Sequence, residues 1–239
     1  MTDCVENASE ATAEVEVVAD PAAEAGRQAA PTDLEAVAFA GAALAPFFLN
    51  DPRTGEAPDA FAALAELDVD AAAAEWPFAR EAEAREALGL MRVGLAAGAD
   101  HDDLVWEYRR LFVGPGHLPA PPWGSVYTDH DCVIFGESTL ALRAWMRVRG
   151  IQRLGDERTP EDHIGLMLAL LAFLAAERPE LADEYLRDHL LTWAPHYLEK
   201  LAEAAGHPFY EGLARLTRAT LLGMQEAREL TVSVPRFYR

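Results

Sequence analysis

Glu161, Asp162 and His163 stand side by side in the stretch TPEDHIG, three side chains of the kinds that bind metals or move protons. On a helix, neighbouring residues point about 100° apart, so three in a row cannot all grip one ion. The HExxH spacing, which puts two imidazoles one turn apart, is absent. The pattern suits a simpler use: the two acids complement a helix N-terminus and His163 faces a groove. His189 and His196 lie seven apart around Trp193, with Pro195 interrupting any helix between them, and read as surface or satisfied core histidines. Cys132 has no neighbouring histidine-and-amide arrangement and reads as a small apolar residue. Gly114-Pro115-Gly116 lacks the further glycines and the preceding strand of a phosphate loop or dinucleotide fingerprint. Ser125, in WGSVY, is not in a nucleophile elbow. No metal, no cofactor and no catalytic constellation is expected, and nothing forms a recognisable guanine-nucleotide pocket.

Binding chemistry remains. Residues 111–127, LFVGPGHLPAPPWGSVY, hold four prolines, three glycines and a tryptophan. No helix can run through such a segment, yet it is too apolar for an ordinary surface connection. Pro121 and Pro122 fix φ and bias the backbone before Trp123 towards an extended form. Tyr108, Leu111 and Phe112 share one helix face by their i, i+3, i+4 spacing. Together with Trp123 they either wall an apolar groove or cement two helical halves. The acids Glu107, Asp129, Asp131, Glu137, Glu161 and Asp162 lie in or near these segments. A groove of that composition suits a peptide that is part hydrophobic and part arginine-bearing.

The elements that must hold these residues read as helix after helix. Thr32 or Asp33 can cap LEAVAFAGAALAPFFL, and Pro52 and Gly55 then break the chain. A short helix follows in PDAFAALAEL, and a long one, AREAEAREALGLMRVGLAA, after Pro77. Asp102 and Asp103 can cap LVWEYRRLF, which stops at Gly114-Pro115-Gly116. TDHDCVIFGE contains a short apolar run suited to a single extended stretch. Ser138 can cap STLALRAWMRVR, stopped by Gly150. Thr159 as cap, Pro160 as first helical residue and acids in the first turn predict a helix over TPEDHIGLMLALLAFLAAE. That helix is nearly apolar on all sides after Gly165, which marks it as the central one. PELADEYLRDHL, LTWAPHYLEKLAEAA and PFYEGLARLTRATLLGMQEAREL complete the set. No repeat and no sustained period-two alternation occurs. The reading is all-α: one globular domain of about nine to ten helices over residues 32–239, with a hinge or loop at about 113–137. Residues 1–31, alanine- and acid-rich and without an aromatic, read as a disordered extension.

The chain has 239 residues, 51% of them hydrophobic, and a formal net charge of −20. That charge disfavours nucleic acid and anionic lipid and favours a basic partner. Lys200 is the only lysine, so the basic side is almost wholly arginine. Two cysteines, Cys4 and Cys132, suit a reducing compartment without a structural disulfide. With no secretory signal pattern and no apolar run long enough to span a bilayer, a soluble, cytoplasmic protein without stable membrane insertion is expected.

Three ordered blocks carry a resemblance. EYRRLFVGPGHLPAPPWGSVYTD, then VIFGESTLALRAWMRVRGI, then TPEDHIGLML resemble the redox-enzyme maturation chaperones of the TorD/DmsD type, and HPFYEGLARLTRATL fits as well. The similarity covers roughly residues 32–239. It implies an all-helical cytoplasmic protein with no catalytic activity. Such a protein binds the twin-arginine signal peptide of a molybdopterin-dependent oxidoreductase, assists its folding and holds back export until the cofactor is inserted. Its partners would be that signal peptide, the apo form of the molybdoenzyme catalytic subunit and the Tat translocase, and it would be a monomer or a domain-swapped dimer. Carried over by position, the signal-peptide site would comprise Leu111, Phe112, Pro122, Trp123, Asp162 and His163. Tyr108 stands where relatives carry a tryptophan. The other reading open at this point is a helical partner or assembly subunit of a reductase complex that does not recognise a signal peptide.

Overall fold

The computed structural model describes residues 33–153 and 159–239, so the expected extension 1–31 and the expected cap Thr32 lie outside the described residues. The described residues contain no strand, and the fold is all-α. Eleven α-helical segments run in order: α1 (Asp33–Leu49), α2 (Pro58–Ala65), α3 (Val69–Glu75), α4 (Glu81–Gly94), α5 (Asp102–Tyr108), α6 (Ser125–Thr128), α7 (Glu137–Val148), α8 (Ile164–Glu177), α9 (Ala182–Tyr185), α10 (Ala194–Ala204) and α11 (Pro208–Ala227). α6 and α9 are single turns. α3 is a helix that punctuation alone does not separate from its neighbours. Asp68 caps it, its carboxylate accepting the amides of Asp70 and Ala71, both at 3.1 Å.

Two lengthwise helix pairs build the core, α1 on α8 and α4 on α11, with α10 packed on α11. Small residues set how closely they approach. A Cβ on Gly41 would stand 2.7 Å from the Leu168 carbonyl oxygen, and one on Gly165 would stand 2.6 Å from Leu49. α8 is the central helix as expected, burying Ile164, Met167, Leu168, Leu171 and Leu174. It is not enclosed on every side, since Phe173 is exposed.

Several local expectations are corrected. α8 begins at Ile164, not Pro160, and its cap is His163, whose Nδ1 accepts the Gly165 amide at 3.2 Å. The local signals at Thr159 and Pro160 lose to long-range bonds: Ile164 donates its amide to the Pro122 carbonyl at 2.9 Å, and Gly124 donates to the Asp162 carbonyl at 3.1 Å. These bonds hold residues 160–163 against residues 122–124 outside any helix. α5 is capped by His101, with Asp102 and Asp103 in its first turn, and the cap of α7 is Gly136 rather than Ser138. The stretch 129–136 forms turns rather than an extended strand, with Cys132 and Phe135 at positive φ.

Candidate functional site

Two blocks that lie far apart in sequence meet at one place. α5 runs into a wide π turn, Arg109–Val113, closed by the Gly114 amide donating to the Arg109 carbonyl at 2.8 Å. The chain then loops through its prolines to Trp123, which forms an isolated antiparallel bridge with His163. Their rings meet edge to face, with centroids 5.8 Å apart. Gly124 is required here because the Trp193 indole packs onto it. A Cβ at that position would come within 2.7 Å of the ring.

Asp162 is the centre of the junction. It is 2% exposed, and its Oδ2 accepts the Ser125 amide at 2.7 Å while its Oδ1 is buried without a hydrogen-bond partner. Burial raises its pKa above the usual carboxylate value, against the pull of the Ser125 amide. His163 is also buried. Loss of solvation, aided by the charge of Arg153, depresses its pKa to about 3, so the ring is neutral at ordinary pH. With Nδ1 accepting the Gly165 amide, the ring proton sits on Nε2.

Asp162 opens onto a cavity of about 360 Å³, near the lower end of the usual range for ligand sites. Leu142, Met167 and Trp193 line it with apolar surface; Asp129, Glu137, Asp162 and Asp188 line it with acid; His189, Ser138 and Thr192 are among its other walls. Arg187 already occupies Asp188 with two hydrogen bonds of 2.7 Å. Asp129 resembles Asp162: its Oδ2 is buried and unpartnered. Burial raises the Asp129 pKa, with the amides of Glu137 and Ser138 opposing and the charges of Glu137 and Asp162 adding to the rise. Two carboxylates with orphaned oxygens in one apolar-floored cavity cannot satisfy each other while charged. A cationic donor would relieve both. A planar guanidinium, with several N–H groups and an aliphatic stem, matches this lining better than a metal ion. Among the described residues no group of three or more His, Cys, Asp and Glu is placed to hold a metal.

The site residues expected from sequence divide into two sets. Pro122, Trp123, Asp162 and His163 come together at the junction. Tyr108, Leu111 and Phe112 are buried, and Phe112 packs against Phe48, Tyr108 and Tyr210 at ring-centroid distances of 6.0, 5.2 and 5.6 Å. The exposed aromatic of α5 is Trp106, beneath the Arg109 guanidinium. The nearby acids divide as well. Glu107 is held by Arg110 at 2.7 Å and by the Gly206 amide, Glu161 is paired with Arg143, and Asp131 sits exposed beside His130. Sequence reasoning missed Asp188, His189 and Trp193 as cavity residues. They come from a second π turn, Leu186–Leu190, and the entry to α10, elements that only the tertiary fold brings here.

The family model described as the nitrate reductase delta subunit matches residues 64–199, more than half of the chain. The chain belongs to that family. Within it, a relative from Haemophilus influenzae named probable Tat proofreading chaperone DmsD is 49% identical over 57% of this chain and 68% of its own length. The Tat proofreading chaperone DmsD of Salmonella typhi is 41% identical over 70% of this chain and 79% of its own. The chaperone protein TorD of Vibrio vulnificus is 25% identical over 48% of this chain and 59% of its own. The resemblance read from the motif blocks is therefore correct: the chain is of the TorD/DmsD type, a family of maturation chaperones rather than of enzymes.

Proposed function

We propose that this protein is a cytoplasmic chaperone of redox-enzyme maturation that binds the twin-arginine signal peptide of a molybdopterin-dependent oxidoreductase, with an arginine of the peptide seated in the Asp129–Asp162 cavity. The observation that carries this reading is a pair of carboxylates, each with one buried oxygen that has no partner, at a cavity walled by Trp193, Leu142 and Met167. Its chemistry is complementary to a guanidinium on an aliphatic stem. The names of the relatives support the same class of client. The apo catalytic subunit follows as the larger partner, with handover to the Tat translocase. The chain's charge of −20 speeds encounter with a basic peptide at low salt. Residues 113–137, which join two helical halves, are where a domain-swapped dimer would exchange.

Titration calorimetry tests the reading with a synthetic peptide carrying two adjacent arginines followed by an apolar stretch. Binding to the full chain is expected, with clear weakening when both arginines are replaced by glutamine. Equal binding of the two peptides contradicts the assignment.

A further inference from the structure

The segment after α11, Leu230–Arg239, lies along the same site. It reads LTVSVPRFYR: an apolar run with two arginines and no acid, in a chain of net charge −20. Ser233 and Pro235 line the carboxylate cavity. Phe237 stacks flat on His196, ring centroids 4.1 Å apart and planes 6° from parallel. Tyr238 donates its amide to the Tyr127 carbonyl at 3.0 Å and sets its ring against His130. Arg239 donates from its guanidinium to the carbonyls of Leu118 and Pro119 at 2.8 and 3.4 Å.

This strip of the loop is built to accept hydrogen bonds. Pro119 and Pro121 have no amide to donate, and the Leu118 and Pro119 carbonyls accept the Arg239 guanidinium. The attachment is light. Among the described residues, two main-chain groups of 231–239 bond to the rest of the chain, the Tyr238 amide to the Tyr127 carbonyl and the Arg239 carbonyl to His196 Nε2 at 2.8 Å. Val234 and Tyr238 are 62% and 41% exposed. A segment held this way opens at low free energy compared with the helical core.

We infer that residues 231–239 occupy part of the peptide groove in cis, and that a client peptide binds by displacing them. The inference rests on the peptide-binding reading above. It gives the loop 117–130 and His196 a stated ligand: an extended peptide whose aromatic side chain lies on the imidazole and whose arginine reaches the Leu118 and Pro119 carbonyls. Apparent affinity for the client is then reduced by the fraction of molecules in which the segment is seated. A segment seated nine-tenths of the time weakens binding about tenfold.

The experiment compares three full preparations by calorimetry with the twin-arginine peptide: the native chain, a chain lacking residues 231–239, and the double variant Phe237→Ala/Arg239→Ala. Both altered chains are expected to bind about tenfold more tightly. A synthetic peptide of residues 231–239, added in trans to the shortened chain, is expected to compete with the client peptide. If the shortened chain fails to fold by circular dichroism, the double variant carries the test. Unchanged or weaker affinity in the folded variants overturns the inference while leaving the proposed function intact. Absence of binding by all three overturns both.

Discussion

The two halves of one sequence block do different work. Leu111 and Phe112, at its start, turn into the core, where Phe112 meets Phe48 and Tyr210; Pro122 and Trp123, at its end, turn towards Asp162 and a cavity. Leu111 and Phe112 are satisfied: both side chains are buried and the Phe112 ring is packed. The second half is unsatisfied, with orphaned polar atoms on Trp123 and Ser125, and on Asp129 and Asp162 beside it. Completed packing marks residues that hold the fold. The Tyr210 hydroxyl in the core also lacks a partner, so what sets the second half apart is the charge on Asp129 and Asp162 beside it.

The largest expected effect breaks the first half. Phe112→Ala should lower stability by about 3–5 kcal/mol in a urea titration, because the surrounding rings cannot collapse fully into the space. The fraction that stays folded should bind the twin-arginine peptide as the native chain does. Loss of affinity at unchanged stability would move Phe112 from the core to the site. Next comes Asp162→Asn, which keeps the shape and removes the charge. Affinity for the peptide should fall by about 2 kcal/mol, roughly thirtyfold, while the melting temperature holds or rises because a buried charge has gone. A smaller effect is expected from Gly136→Ala, whose Cβ would stand 1.5 Å from Asp129 Oδ2 and force that carboxylate aside. Affinity should drop roughly three- to tenfold, with α7 intact by circular dichroism.

The smallest effects are those of pH. Asp129 and Asp162 have raised pKa values, so peptide affinity should fall as pH drops towards the acid range and these carboxylates take up protons. Calorimetry between pH 7 and pH 5 follows this. His163 acts on stability. Its folded pKa of about 3 lies below the ordinary 6.5, so between those values the unfolded chain binds a proton that the folded chain does not. Stability from this group is complete above pH 6.5 and is lost as pH falls towards 3. His163→Asn, which can still cap α8, should flatten that acid slope in thermal melts. An unchanged slope would mean that His163 is solvated.

Much of this was legible in the sequence. The helices announce themselves through glycine, proline and capping residues, and the family resemblance, over roughly residues 32–239, is strongest from 104 to 170. The junction of PPWGS with PEDH was not legible, because the Ser125–Asp162 bond spans 37 residues. Local capping rules gave Asp162 to a helix N-terminus, and the long-range amide took it instead. The helical spacing of Tyr108, Leu111 and Phe112 correctly grouped them on one face but could not tell core from groove, since both are apolar. The cavity wall from Asp188 to Trp193 depends on a π turn, a feature with no sequence signal of its own. The acids Glu107 and Glu161 looked like Asp129 until their arginine partners could be seen.

The central claim is that Asp162 receives an arginine of the client peptide. A double-mutant cycle measures this directly, titrating native and Asp162→Asn chains with peptides bearing the arginine pair and with one arginine replaced by glutamine. For one of the two positions, a coupling free energy of about 1.5 kcal/mol or more is expected. Additive effects at both positions, with coupling near zero, would contradict it.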